Sequence, residues 1–131
     1  MANIDTLWTD DSLMPRLIAA WDPSRMNDLL GLARMGQTLG FDGPGDFFID
    51  DDGGLIHRGD APSAPLVYMG LHMLHPALIA GWPATPHGIF GHWMDYAAAG
   101  LLRGVIAEGL WMHVGDPAAL ALAEARLAQA A

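Results

Sequence analysis

Gly109-Leu110-Trp111-Met112-His113-Val114-Gly115-Asp116-Pro117, followed by an alanine- and leucine-rich run to the end of the chain, decides how this sequence is read. Asp116-Pro117 predicts a helix start. An aspartate at the N-cap accepts hydrogen bonds from the free N–H groups of the first turn, and a proline next to it loses nothing, because its N–H would have no partner there. Residues 117–131 are therefore a C-terminal helix. Upstream, residues 110–114 form a short apolar run suited to a buried strand.

Moving outward, Gly100 closes a helical pattern over residues 89–99, and Val105-Ile106 reads as another strand. Residues 66–74 predict a central strand that stops before Pro76, with a short helix over 76–80 and an irregular stretch over 81–91. Residues 46–49 and 55–57 flank an Asp/Gly cluster and predict a hairpin. Four glycines and a proline make 36–45 a loop, and 60–65 is another. Residues 26–35 suit either a helix or a buried strand, with propensity leaning helical. Near the start, Leu13, Met14, Leu17 and Ile18 predict a helix to about Trp21, with Pro15 in its first turn. Strands mixed with helices place the chain in the α/β class, as one domain or part of one.

Composition excludes several functions. The 131 residues carry 15 acidic and 6 basic side chains, a formal net charge of −9, and the six basic residues are scattered arginines. No basic stripe exists to follow a nucleic-acid backbone. No apolar run approaches the roughly 18 residues that span a bilayer, so no membrane partner is expected. The absence of cysteine removes disulfides and thiolate metal sites, and a cytoplasmic protein is the default expectation.

The ordered motifs carry a resemblance. The 109–117 stretch resembles the G-x-W-x-D-V-G-T-P segment that closes the catalytic domain of sugar-1-phosphate nucleotidyltransferases, and Asn3-Ile4-Asp5 with Trp8 resembles their N-x-D motif. Gly45-Asp46-Phe47 looks like their G-D-F hairpin over the sugar site, and Tyr68 through Pro76 looks like their Y-x-G strand. Trp93 to Gly104 is similar to the helix and strand before the last motif. Within the family, the nearest subgroup transfers UMP from UTP to N-acetylmuramate 1-phosphate. Each motif alone is weak, but five in the family's order are specific. The resemblance implies the C-terminal part of a Rossmann-like nucleotidyltransferase fold, a mixed sheet with flanking helices and its nucleotide-binding N-terminal half absent. It also implies a strand over residues 26–35.

The resemblance further assigns candidate residues. Nucleotidyl transfer builds charge on phosphates, which calls for a divalent metal and fixed donors. Asp5 is the carboxylate implied to hold Mg2+, at the C-terminal end of a strand, where open α/β sheets bind ligands. The alternative is a turn aspartate. His113 stands where the family carries a second metal-binding aspartate, and a neutral imidazole is a poorer magnesium ligand. It remains a candidate catalytic residue through a phosphate or a metal-bound water, the alternative being a strand histidine bonded to backbone. Gly45 and Gly70 are candidate close approaches to the sugar. Asp46 either bonds that sugar or faces water at a hairpin edge.

Other clusters read as structure. Asp50-Asp51-Asp52-Gly53 lacks the acid at Phe48 and the glutamate at Gly59 that a calcium loop requires, so it is a turn. His72 and His75 lie on opposite faces of a strand and share no metal. His87 and His92 flank an irregular segment, and the five tryptophans are core or interface.

Nothing in the sequence resembles a glycine-rich triphosphate loop, and there is no lysine. The chain is thus expected to begin in the middle of an enzyme, to bind a sugar 1-phosphate, and to engage a nucleoside triphosphate only when the missing half is supplied. A non-catalytic sugar-phosphate-binding or protein-interaction module of the same ancestry is the alternative. An unpaired sheet edge also predicts self-association.

Overall fold

The computed structural model describes residues 1–130. Its elements are β1 (Thr6–Trp8), α1 (Leu13–Ala20), β2 (Asp28–Arg34), a 3-10 turn (Met35–Gln37), β3 (Thr38–Leu39), β4 (Phe47–Ile49), β5 (Leu55–His57), β6 (Leu66–Leu74), α2 (Pro76–Ala80), α3 (Phe90–Ala98), β7 (Leu102–Ile106), β8 (Trp111–His113) and α4 (Pro117–Ala130). The expected C-terminal helix is α4, and the last residue of that expectation, Ala131, lies outside the described residues.

The expected mixed sheet has the order β5-β4-β6-β2-β7, antiparallel except for the parallel β2–β7 pair. A second sheet of three strands, β1-β8-β3, was not foreseen. The central strand β2 decides the architecture. Leu29 and Ala33 belong to one core with Leu13 and Leu17 of α1, whereas Leu30 and Leu32 belong to another with Trp93 and Tyr96 of α3. Burial on both faces explains the continuous apolar run and overrides its helical propensity, so the strand implied for 26–35 is present.

The loop expected over 36–45 is corrected in one respect. Thr38 and Leu39 form β3, parallel to β8, with Thr38 opposite Trp111. A two-residue strand has no periodicity to detect. Gly40 follows at φ 76°, and a Cβ there would stand 2.3 Å from the His113 carbonyl oxygen, so only glycine lets β3 lie this close to β8.

Two features shape the region where β1 meets β6. Between Leu30 and Leu32 of β2, the β6 register jumps from His72 to Tyr68, so three β6 residues bulge opposite one of β2. Gly70, at φ 84°, sits in this bulge. Residues 1–3 lie along it: Ala2 bridges Leu71, Asn3 N–H donates to Gly70 O at 2.7 Å, and His72 N–H donates to Met1 O at 2.9 Å.

Candidate functional site

Asp116 caps α4 as its sequence context predicts: its Oδ1 accepts the Ala119 N–H at 2.8 Å. That fixed helix start orients the strand before it, and His113 at the end of β8 lies against the turn before β1. His113 Nε2 stands 3.2 Å from Asp5 Oδ2. A carboxylate only accepts, so the ring must donate from Nε2. Both side chains are partly open to solvent. Gly115 makes room for the imidazole, since a Cβ there would come within 2.8 Å of its Cε1.

Asp5 differs from expectation in one detail. It lies on a turn directly before β1 rather than at the end of a strand. The reason is that the three residues ahead of the turn make only bridge contact with β6, while Thr6–Trp8 pairs with β8.

A cavity of about 170 Å³ brings Asp5, His113, Asp46 and Gly70 together with Asn3, Thr6, Tyr68 and Trp111. Asp46 is half-buried, and its Oδ2 accepts the Tyr68 N–H at 2.8 Å across from the bulge. Gly70 gives close approach to Asn3, whose Cβ would be 3.1 Å from an added methyl. Gly45 is not on this cavity wall. Its positive φ of 88° and a clash of 2.2 Å with Ala64 O account for glycine there through the chain's own backbone.

Three arrangements escaped sequence reading. Asp28 is fully buried at the start of β2, with Oδ1 2.8 Å from His72 Nδ1 and Oδ2 accepting the Trp93 indole N–H at 2.8 Å. Tyr68 packs edge-on against Trp93, 4.8 Å between centroids, and burial, with the Asp28 carboxylate adding to it, holds its hydroxyl well above the ordinary tyrosine range. Thr6 Oγ1 accepts the Trp111 indole N–H at 2.7 Å and donates to Met69 O, tying the small sheet to the bulge. Third, Asp10 holds the start of α1: Ser12 Oγ, Ser12 N–H and Glu108 N–H all donate to it, and Arg16 pairs with it.

The remaining histidines lie elsewhere. His75 Nδ1 accepts the Ala77 N–H and caps α2. His87 and His92 do meet, at 5.2 Å between ring centroids, with Trp82 stacked on His92 at 4.4 Å. The acidic turn is closed by its own backbone, Asp50 Oδ1 accepting from Asp52 and Gly54. Among the described residues no group of three or more His, Asp or Glu side chains is placed to hold a metal ion, and no helix is long and apolar enough to cross a membrane. A larger cavity, about 500 Å³, lies at the other end of β2, between Trp21, Arg25 and Arg103. It is lined by none of the five candidate residues Asp5, Gly45, Asp46, Gly70 and His113. The smaller cavity gathers four of the five, and that convergence makes it the candidate site.

No family model matches the chain. It is 44% identical over 132 aligned residues to the N-acetylmuramate alpha-1-phosphate uridylyltransferase of Caulobacter vibrioides, covering 99% of this chain and 54% of that enzyme. The chain thus spans about half the length of this curated relative and matches its C-terminal part. The resemblance read from the motifs is borne out at this level: along its whole length the chain is similar to the C-terminal part of a sugar-1-phosphate nucleotidyltransferase.

Proposed function

We propose that this chain is the acceptor-sugar and metal-binding portion of a uridylyltransferase acting on a sugar 1-phosphate, working together with a separate triphosphate-binding part. The observation that carries this reading is the single cavity in which Asp5, His113, Asp46 and Gly70 converge from four distant segments. The name of the similar Caulobacter enzyme supports the substrate class.

The donor set suits magnesium of the kind that takes one or two protein carboxylates and completes its shell with water and substrate phosphate. Asp5 would hold the ion, which when bound neutralises charge on the phosphates. His113, tied to Asp5 Oδ2, would orient the carboxylate and leave Oδ1 without a claim from the imidazole. Asp46 stands at the same cavity as an acceptor for sugar hydroxyl or amide groups. Its Oδ2 is already committed to Tyr68 N–H, which leaves Oδ1 as the acceptor for a substrate. Among the described residues a triphosphate finds no comparable cradle of cations or glycine-rich backbone at this cavity.

Calorimetric titration with N-acetylmuramate 1-phosphate, with and without magnesium, tests the reading. Binding that magnesium strengthens, and that Asp5→Asn uncouples from magnesium, is the expected result, with UTP bound weakly or not at all. Absence of sugar-phosphate binding in both conditions would overturn it and leave an interaction module of the same ancestry. Tight UTP binding would show that a complete nucleotide site exists in this chain.

A further inference from the structure

The connection between α2 and α3 brings together two histidines that the candidate site does not use. His87 lies on that connection and His92 in the first turn of α3, and their ring centroids are 5.2 Å apart. Pro83 and Pro86 stiffen the segment, because each fixes its own backbone φ. Trp82 closes the group: its indole stacks on His92 at 4.4 Å between centroids and 13° between planes, and stands edge-on to His87 at 5.6 Å. His87 is exposed and His92 half-buried, so an ion from solution reaches both.

His87 Nδ1 lies 2.9 Å from Thr85 O. A carbonyl only accepts, so Nδ1 carries the proton, and in the neutral ring Nε2 keeps its lone pair. A backbone carbonyl on one ring nitrogen is the usual outer partner of a metal-binding histidine, since it fixes the tautomer and the direction of the ring. Stacking on Trp82 covers a face of His92 and leaves its nitrogens at the ring edge, where a lone pair lies in the plane. Two imidazoles on one tetrahedral ion, each held through nitrogen at about 2.0–2.1 Å, have centroids about 5 Å apart. The observed 5.2 Å is that spacing, so no backbone movement is needed to reach it.

We propose that His87 and His92 form a two-histidine site for a borderline-soft divalent cation, Cu2+ or Zn2+, with water completing its shell. Imidazole favours these ions over magnesium, which prefers oxygen. The site shares no residue with the cavity of Asp5 and His113, and it stands whether or not that cavity takes a sugar 1-phosphate. An ion held there joins the α2–α3 connection to α3, where the neighbouring Trp93 is anchored to Asp28. Binding to the folded chain in preference to the unfolded one stabilises it by mass action.

Tryptophan fluorescence of the whole 131-residue chain, titrated with CuCl2 in excess magnesium, tests the site. Saturable quenching by one ion per chain is the expected result, because Trp82 stacks directly on a ligand, and Trp82→Phe should remove most of it. His87→Ala and His92→Phe, the second keeping the stack, should each weaken Cu2+ binding by at least about tenfold, since loss of even an outer partner of a metal ligand costs that much. His113→Ala should leave it unchanged. Zn2+, which binds less tightly than Cu2+, should raise the unfolding midpoint of the parent and not that of His87→Ala. No saturable binding, or binding that survives either histidine substitution, overturns the proposal. A loss confined to His113→Ala overturns it as well and assigns the ion to the Asp5–His113 pair.

Discussion

The indole N–H of Trp111 reaches the hydroxyl of Thr6 at 2.7 Å across 105 residues of chain, and that hydroxyl donates onward to Met69 O. Both side chains are buried. Thr6→Val keeps the shape but strands a buried N–H and a buried carbonyl. We expect a loss of about 2–3 kcal/mol, since an unsatisfied buried group costs more than a typical hydrogen bond contributes. Urea unfolding should show a lower midpoint at unchanged slope, with Thr6→Ser close to the parent. A Thr6→Val chain as stable as the parent would remove this joint from the account of how the two sheets are held.

Gly115 matters through its neighbour. Gly115→Ala puts a methyl where the His113 ring now lies, and the ring, being the end of a side chain, is what moves. Stability should change by less than about 1 kcal/mol, as for most changes away from a core. The His113–Asp5 contact should be lost, seen as a shift of the His113 ring resonances together with weaker sugar-phosphate binding. Unchanged resonances would show that the ring accommodates the methyl in place.

Asp28 has both carboxylate oxygens bound inside the protein. Removing one partner of a buried polar pair leaves the other uncompensated, so Asp28→Ala should destabilise by about 3–5 kcal/mol. Asp28→Asn, which still offers an oxygen to Trp93, should lose less. Thermal unfolding of the two variants ranks them. Equal losses would mean that packing volume, not hydrogen bonding, sets the cost.

Asp10 makes acid stability testable. Its carboxyl is held down to about 2 from an ordinary 3.8, chiefly by the Ser12 hydroxyl and then by the Glu108 N–H; burial opposes this, and Ser12 N–H and Arg16 add smaller help. A carboxylate whose folded value is depressed contributes fully above its unfolded value and loses that contribution as pH falls through the folded one. The chain should therefore lose stability between about pH 4 and pH 2, and Asp10→Asn should flatten that part of the curve. A curve of the same steepness in both proteins would place the acid sensitivity elsewhere.

Ile4 is fully exposed and Met1 largely so, beside a backbone stretch that pairs with β6 on one side. Unpaired edges with apolar side chains recruit further strands, and a charge there opposes it. Light scattering should detect concentration-dependent association that Ile4→Lys reduces. A monomer at high concentration would count against it.

Local chemistry was legible where it acts over a few residues. Asp116-Pro117 announced α4, and the strand Leu66–Leu74 and the helix Pro76–Ala80 have the boundaries that the sequence indicates. The strand β2 was not decided by its own residues, because burial on both faces erases the period that would separate strand from helix. Asp28 escaped notice for a related reason: its partners His72 and Trp93 are 44 and 65 residues away, and nothing near it signals them. The motifs pointed to Asp5 and His113 separately, and the fold supplied their contact. The cavity lined by Phe47, His57, Tyr68, Phe90 and Trp93 had no sequence signature, since its walls come from β4, β5, β6 and α3.

The pairing of β1 with β8 carries a consequence in time. Asp5 and His113 are 108 residues apart, so during synthesis the first has left the ribosome long before the second is made. Until β8 emerges, β1 has no strand to pair with and Asp5 has no imidazole beside it. Contacts of such long sequence separation form late, after the loop-closure entropy of the intervening chain has been overcome. A nascent or prematurely ended chain therefore carries the acidic and aromatic groups of the candidate cavity up to its break, yet lacks the Asp5–His113 pair that the complete fold assembles.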